Sequence, residues 1–152
     1  GLANRRGLEL LGQEVLLIAR DADSVVSVAF IDVDGLKQVN DGHGHDRGDE
    51  LLMSVARALR ATCRTTDVIA RWGGDEFVVL ALGPPSPPEA LQARLVEAMA
   101  AEPGLSSAMW QPSLSVGMAH RPPNSDEDLE SLLMRADKDM YERRSIRRSG
   151  GS

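Results

Sequence analysis

The sequence is short of cysteine, of positive charge and of long apolar runs, and each shortage removes a class of protein. Cys63 is the single cysteine, so no disulfide closes within the chain and no cysteine cluster binds structural zinc. A reducing compartment, the cytoplasm, is the expected location, whether or not a parent protein is anchored in a membrane. Cys63 itself reads as a small buried hydrophobe. Lys and Arg number 17 against 23 Asp and Glu, a net charge of -6. That balance excludes a general nucleic-acid or anionic-membrane binder, whose affinity rests on clustered basic residues. A small phosphorylated ligand needs only a few local cations and stays open. No stretch approaches the roughly 18 to 20 apolar residues that span a bilayer, and the opening GLANRRGLEL has no apolar secretory core. No membrane contact is expected of this segment, and no internal repeat is evident.

The 152 residues, 42% hydrophobic and 26% charged, suit one globular domain able to bury its own core. Asn4 to Arg20 carries Leu8, Leu11, Val15 and Ile18 at helical spacing, with Asn4 as N-cap. Its abrupt start suggests a piece of a longer protein. Ser24 to Val33, SVVSVAFIDV, is rich in β-branched residues and reads as a buried central strand. A helix is expected over Glu50 to Leu59. Val68 to Trp72 and Phe77 to Leu82 read as two strands of a hairpin, its turn built on glycines that tolerate positive φ. The Pro-rich loop Gly83 to Ala90 precedes a helix through about Ala101. A strand over Leu114 to Ala119 and a helix from Asp126 to about Arg144, capped at Ser125 or Asp126, complete the order. This order predicts an α+β domain, a mainly antiparallel sheet flanked by helices.

The hairpin tip, Gly73-Gly74-Asp75-Glu76, joins two glycines, which let a main chain come close to a ligand, to two carboxylates. Asp32-Val33-Asp34 supplies a second acidic pair at the end of the central strand, where alternation puts both carboxylates on one face. Mg²⁺ takes oxygen ligands and usually needs one or two carboxylates plus phosphate oxygens. One aspartate from each strand meets that need, and paired ions about 3.5 to 4 Å apart serve nucleotidyl transfer. Any one of these acids alone is better explained as an exposed turn residue.

GGDEF, Gly73 to Phe77, is the signature of the GGDEF domain family, the diguanylate cyclases, and the likeness runs on. GLANRR resembles that family's opening motif with its first residues cut off. FIDVDGLKQVNDGHGHDRGDELL, Phe30 to Leu52, is similar in order and spacing to its long acidic segment. LSVGMA at Leu114 to Ala119 and RADKDMYERR at Arg135 to Arg144 resemble a later strand and the terminal helix. The resemblance covers residues 1–148, leaving 149–152 as a tail. It implies a nucleotide-cyclase or polymerase-palm-like fold that binds one GTP per domain. Two domains facing each other as a homodimer would condense two GTP into cyclic di-GMP, releasing two pyrophosphates, with Mg²⁺ or Mn²⁺ as cofactor.

Carried across position by position, the resemblance makes Asp32 and Asp75 metal ligands, with the carbonyl of Val33 as a further one. Glu76 either binds metal or activates the 3′-hydroxyl. Gly73 and Gly74 give the nucleotide close access to the backbone. Asn40 and Asp49 fall on the guanine readers, and the chemistry agrees: a carboxylate accepts from both N1–H and the 2-amino group, a pattern adenine lacks. Asp49 also suits a helix N-terminus. Lys37 and the amides of the Gly35-Leu36 turn fall on the phosphate contacts. Arg144 and Arg148 match late basic positions that hold the triphosphate, or else form a solvated basic tail.

Arg64 and Asp67 fall on the family's Arg-x-x-Asp inhibitory site, which binds the product cyclic di-GMP; the plainer reading is a surface ion pair. Arg94 is a possible third member. His43 and His45, with Asp46 alongside, are too few for a zinc site. Departures from the family pattern, Leu36 for an aromatic, Arg143 and Arg147 for Ala and Gly, Arg144 for Lys and Ser149 for Asn, leave the acidic residues untouched. The family's last strand is expected to be short or absent. Three functions remain distinguishable: a cyclase, a catalytically silent sensor of GTP or cyclic di-GMP, and a cyclase or polymerase for another base, against which Asn40 and Asp49 argue.

Overall fold

The computed structural model describes residues 2–102 and 113–150, with no side chains for 147–150. Its elements run α1 (Arg5–Ala22), β1 (Val26–Val33), α2 (Leu36–His43), α3 (His45–Thr62), β2 (Val68–Arg71), β3 (Glu76–Leu82), α4 (Pro88–Ala100), β4 (Leu114–Arg121) and α5 (Leu129–Gly150). The strands form one antiparallel sheet in the order β2-β3-β1-β4, as expected for an α+β domain. β1 lies between β3 and β4 and is buried at every position. Both its faces are covered, which is why its sequence is a nearly unbroken apolar run.

Alternation along β1 divides the core in two. Ala29, Ile31 and Val33 pack with Leu51, Val55 and Leu95 of α3 and α4. Val28 and Phe30 pack on the other face with Leu8 of α1 and Leu132 and Met140 of α5. Asp32 shares the parity of Phe30 and therefore belongs to the α5 side.

The helices correct the sequence reading in detail. Asn4 does cap α1, accepting a hydrogen bond from the Gly7 amide at 2.8 Å. The buried stripe is Leu8, Gly12, Leu16 and Ala19, however, while Leu11 and Ile18 are exposed. Gly12 draws the face round: a Cβ there would come within 2.6 Å of Leu129 Cδ2, so the helix packs through its smallest residue. The segment read as a turn at Gly35-Leu36 opens a separate short helix, α2, and α3 begins at His45 rather than Glu50. Gly44, at φ +88°, divides them. α5 starts at Leu129 because Asp128, not Ser125 or Asp126, accepts from the Ser131 amide. At the other end 145–150 continue α5, and no closing strand forms among the described residues.

One contact fixes α5 over the sheet. A Cβ on Gly117 of β4 would lie 2.1 Å from the Met140 nitrogen, so helix backbone rests directly on strand backbone. Four residues along α5 rise about 6 Å and two along β4 about 6.8 Å, which brings Arg144 over Ser115. Arg144 Nε accordingly donates to Ser115 Oγ at 3.1 Å, and Ser115 is the register partner of Asp32. Gly117→Ala must push α5 off the sheet. It is expected to cost on the order of 3 kcal/mol, read as a lowered melting temperature; unchanged stability would contradict the contact.

Candidate active site

The two acidic pairs expected from the sequence meet at one end of the sheet. Asp32 is paired in register with Glu76, and the Val33 amide donates to the Asp75 carbonyl at 2.9 Å. The β1 end and the hairpin tip are thus tied together by main chain. Asp34 lies alongside, its carboxylate accepting from Ser113 Oγ at 2.8 Å and Ser115 Oγ at 3.0 Å.

The hairpin tip is held differently from the expectation. Neither Gly73 nor Gly74 has a positive φ; the described glycines that do are Gly35, Gly44 and Gly83. The turn closes through the Trp72 and Gly73 amides, which donate to the Glu76 carbonyl at 2.8 and 3.3 Å. Arg71, which the sequence reading passed over, donates to the carbonyls of Gly73 and Gly74 at 3.3 and 2.8 Å. Its place next to the glycine pair was the available signal. What the glycines supply is room. A Cβ on Gly73 would meet Glu76 Oε1 at 2.5 Å, and one on Gly74 would meet nothing within 4 Å.

The opening GLANRR segment anchors the same region. Ala3 bridges to Ala70 at the sheet edge, and the Arg5 guanidinium stacks 4.1 Å from the centre of the Trp72 ring. Trp72 meets Phe30 edge-on at 6.1 Å. A cleft of about 950 Å³ opens between this segment, α3 and the hairpin tip, lined by Asp49, Arg57, Arg60, Arg71 and Gly74.

Asn40 and Asp49 are brought close through Gly48, where a Cβ would fall 1.8 Å from Asn40 Oδ1. The Asn40 amide therefore rests on α3 next to Asp49, which is exposed. Lys37 is exposed on the first turn of α2, and Gly35, at φ +81°, sets the direction of the chain into it.

Arg144 is no solvated tail. Its Nη2 hydrogen-bonds Asp32 Oδ2 and lies 3.2 Å from Asp34 Oδ1. The Arg148 side chain lies outside the described residues. Asp32 Oδ1 is buried without a hydrogen-bond partner among the described residues. Burial pushes the Asp32 carboxyl up to about 6; the Arg144 hydrogen bond opposes the rise and neighbouring Asp75 adds to it. Burial likewise raises Glu76, with Asp75 and Asp137 contributing. Among the described residues no three His, Cys, Asp or Glu side chains gather around a metal position. An orphaned carboxylate oxygen beside a second aspartate nevertheless fits a hard divalent cation that takes its other oxygens from substrate.

Arg64 and Asp67 meet as well. The Arg64 amide donates to Asp67 Oδ2 at 2.9 Å, the guanidinium stands 3.4 Å from Asp67 Oδ1, and Arg64 Nη2 donates to the Leu82 carbonyl at 2.7 Å. A cavity of about 370 Å³ beside them is lined also by Arg94, Cys63, Ser86 and Gly83. Cys63 is half-buried, and burial together with the Asp67 charge pushes its thiol up to about 11.

Residues 1–149 match the family described as Diguanylate cyclase, GGDEF domain. The chain belongs to that family. It is 38% identical over 151 residues to the bifunctional diguanylate cyclase/cyclic di-GMP phosphodiesterase MucR of Pseudomonas aeruginosa, covering 98% of this chain and 22% of MucR. Among solved structures, a sensory box/GGDEF family protein of Caulobacter crescentus superposes with a TM-score of 0.81 at 30% identity, over 96% of this GGDEF chain and 95% of that one. The GGDEF domain of DgcB from the same organism, solved in complex with c-di-GMP, gives 0.81 at 26% identity, over 99% and 87%. The chain spans between about a fifth and two fifths of the curated relatives it matches.

The raised Asp32 carboxyl fixes the sign of a pH effect. A fold that favours the protonated acid is most stable below about pH 4, and it loses that contribution as pH rises to about 6. Asp32→Asn removes the cost of burying the ionised form. In metal-free buffer the stability of Asp32→Asn relative to the unaltered protein is therefore expected to improve as pH rises from about 4 to about 6. Thermal melts across that range check it; a difference independent of pH would refute the assignment.

Proposed function

We propose that this GGDEF domain is a diguanylate cyclase that condenses two GTP molecules into cyclic di-GMP across a pair of domains. The observation that carries the reading is the meeting of Asp32 and Asp75 around an unpartnered carboxylate oxygen. Mg²⁺ or Mn²⁺ would be held there by Asp32, Asp75 and the Val33 carbonyl, and would offset charge developing on the phosphoryl oxygens.

The chain's own residues divide the remaining work. Asn40 and Asp49 read guanine, the carboxylate accepting from N1–H and the 2-amino group. Lys37 and the first amides of α2, behind Gly35 and Leu36, receive the terminal phosphates. Gly74 leaves open space where the α-phosphate must come close to the main chain. The 3′-hydroxyl oxygen of one GTP attacks the α-phosphorus of the other, and pyrophosphate departs with the electrons of the broken bond. Glu76, whose carboxyl is raised above its ordinary value by burial, is suited to take the hydroxyl proton. Arg144 and Arg148 are assigned to the triphosphate oxygens. One domain supplies only one GTP, so a homodimer is required.

Arg64, Asp67 and Arg94 around a shared cavity support a product site. The guanidinium forks suit phosphate or guanine edges, and Asp67 accepts from guanine. Product bound there would hold two domains in an unproductive arrangement, coupling its own concentration to turnover.

The test is incubation of concentrated protein with GTP and Mg²⁺, with cyclic di-GMP as the readout. Turnover should rise more than linearly with protein concentration and disappear on addition of a chelator. Asp75→Asn should lower it at least 100-fold. GTP bound but no product at high concentration would favour a silent sensor instead. Arg64→Ala should leave the initial rate within about twofold and remove inhibition by added cyclic di-GMP; inhibition that survived would end the product-site reading.

A further inference from the structure

Two aspartates share the end of β1, and the positive charge against them comes from the protein itself. Arg144 reaches Asp32 and Asp34 with one nitrogen and Ser115 with another. Ser115 in turn donates to Asp34 at 3.0 Å, as does Ser113 at 2.8 Å. The side chains are largely shielded, at 19% exposure for Arg144, 11% for Asp32 and 15% for Asp34. Attraction at such contacts is much stronger than at a solvated surface, and removing one partner leaves an uncompensated buried charge. The guanidinium is anchored from below by the rigid contact of α5 on Gly117, and α5 delivers it to the same side chain that a divalent cation needs.

The guanidinium holds Asp32 Oδ2 while Oδ1 is the oxygen without a partner, so a metal ion at Oδ1 would put a second positive charge on the same carboxylate, and each cation weakens the other's hold. Drawing Arg144 away gives up its contacts to Asp32, Asp34 and Ser115. A triphosphate changes that balance, because its oxygens offer the displaced fork an equal or stronger acceptor. There is also room for the move: a cavity of about 270 Å³ adjoins Arg144, lined by Ser115, Gln92, Glu89 and Arg143.

We propose that Arg144 is a resident cation that keeps Asp32 and Asp34 closed to divalent metal until a nucleoside triphosphate draws it off, so that metal and nucleotide load together. This rests on the reading of Asp32 and Asp75 as a metal seat. It goes beyond that reading in assigning an order of events to the empty protein. By linkage, nucleotide affinity must depend on metal by the same factor that metal affinity depends on nucleotide.

Mn²⁺ titration followed by the electron paramagnetic resonance signal of the free ion tests it, with and without a non-hydrolysable GTP analogue. In the unaltered protein, Mn²⁺ affinity should rise at least tenfold when the analogue is present. In Arg144→Gln, affinity without nucleotide should already be at least tenfold above the unaltered protein, and Mn²⁺ alone should raise its melting temperature. Arg144→Lys keeps the charge, protects the fold and should show a smaller rise of the same sign. Uptake beyond that of the analogue in protein-free buffer is the quantity compared, and Asp75→Asn should reduce it to nothing in every case, which locates the ion. Equal nucleotide-free affinities in the unaltered protein and both variants, with normal excess uptake alongside the analogue, would overturn the gate while leaving the metal seat intact. No Mn²⁺ uptake beyond that of the analogue alone would overturn both.

Discussion

The hydrogen bond from the Val33 amide to the Asp75 carbonyl is the constraint on which the site depends. It closes the antiparallel pairing of β1 and β3 at the point where both strands turn acidic, and register then sets Asp32 opposite Glu76. Residues more than forty positions apart become neighbours through backbone geometry alone. The concentration of carboxylates has an electrostatic cost, visible in the upward shifts of Asp32 and Glu76. A fold selected only for stability would not gather such groups and bury one of them.

That cost accounts for features further away. α5 touches β4 without an intervening side chain at Gly117, and the matched rise of helix and strand puts Arg144 against the acids. Arg71 holds the carbonyls of the hairpin tip. Arg5 stacks on Trp72, and Trp72 packs against Phe30 of β1. Each arrangement lets a charged or ligand-facing group occupy a fixed place on rigid elements rather than on a free loop.

How much of this was legible in the sequence follows from what each pattern encodes. β1, the hairpin and the carboxylates could be read, because β-branched runs and glycine-acid tips carry local information. The face of α1 was misread by about one position: Leu11 and Ile18 fit the helical period, yet Gly12 is buried because Leu129 lies against it, and only tertiary structure places Leu129 there. α2 was taken for a turn since it is short and polar, with Val39 its one buried residue. The glycines of the tip were assigned to positive φ, the commonest reason for Gly-Gly in a hairpin, whereas here Gly73 makes room for Glu76 and Gly74 faces open space. The aspartate partners of Arg144 lie over 100 residues away in the chain, and no spacing rule reports them.

Under the proposed chemistry, the position of the site at an open end of the sheet bears on the need for a second domain. A cavity closed by a single domain would protect one bound nucleotide from water, but it would also prevent a second triphosphate from presenting its α-phosphate to the first. Here the tip glycine Gly74 is exposed with empty space before it, and the adjoining cleft is broad. Two copies of a domain with net charge -6, each carrying a polyanion, repel one another at long range. Neutralisation would therefore be local, and basic residues line the cleft beside the tip: Arg57, Arg60 and Arg71. Under the proposed chemistry, a guanidinium that leaves its carboxylates only when triphosphate arrives would add a second safeguard. The divalent charge would arrive only together with the triphosphate it offsets, so that domains carrying nucleotide with metal repel each other less than domains carrying nucleotide alone.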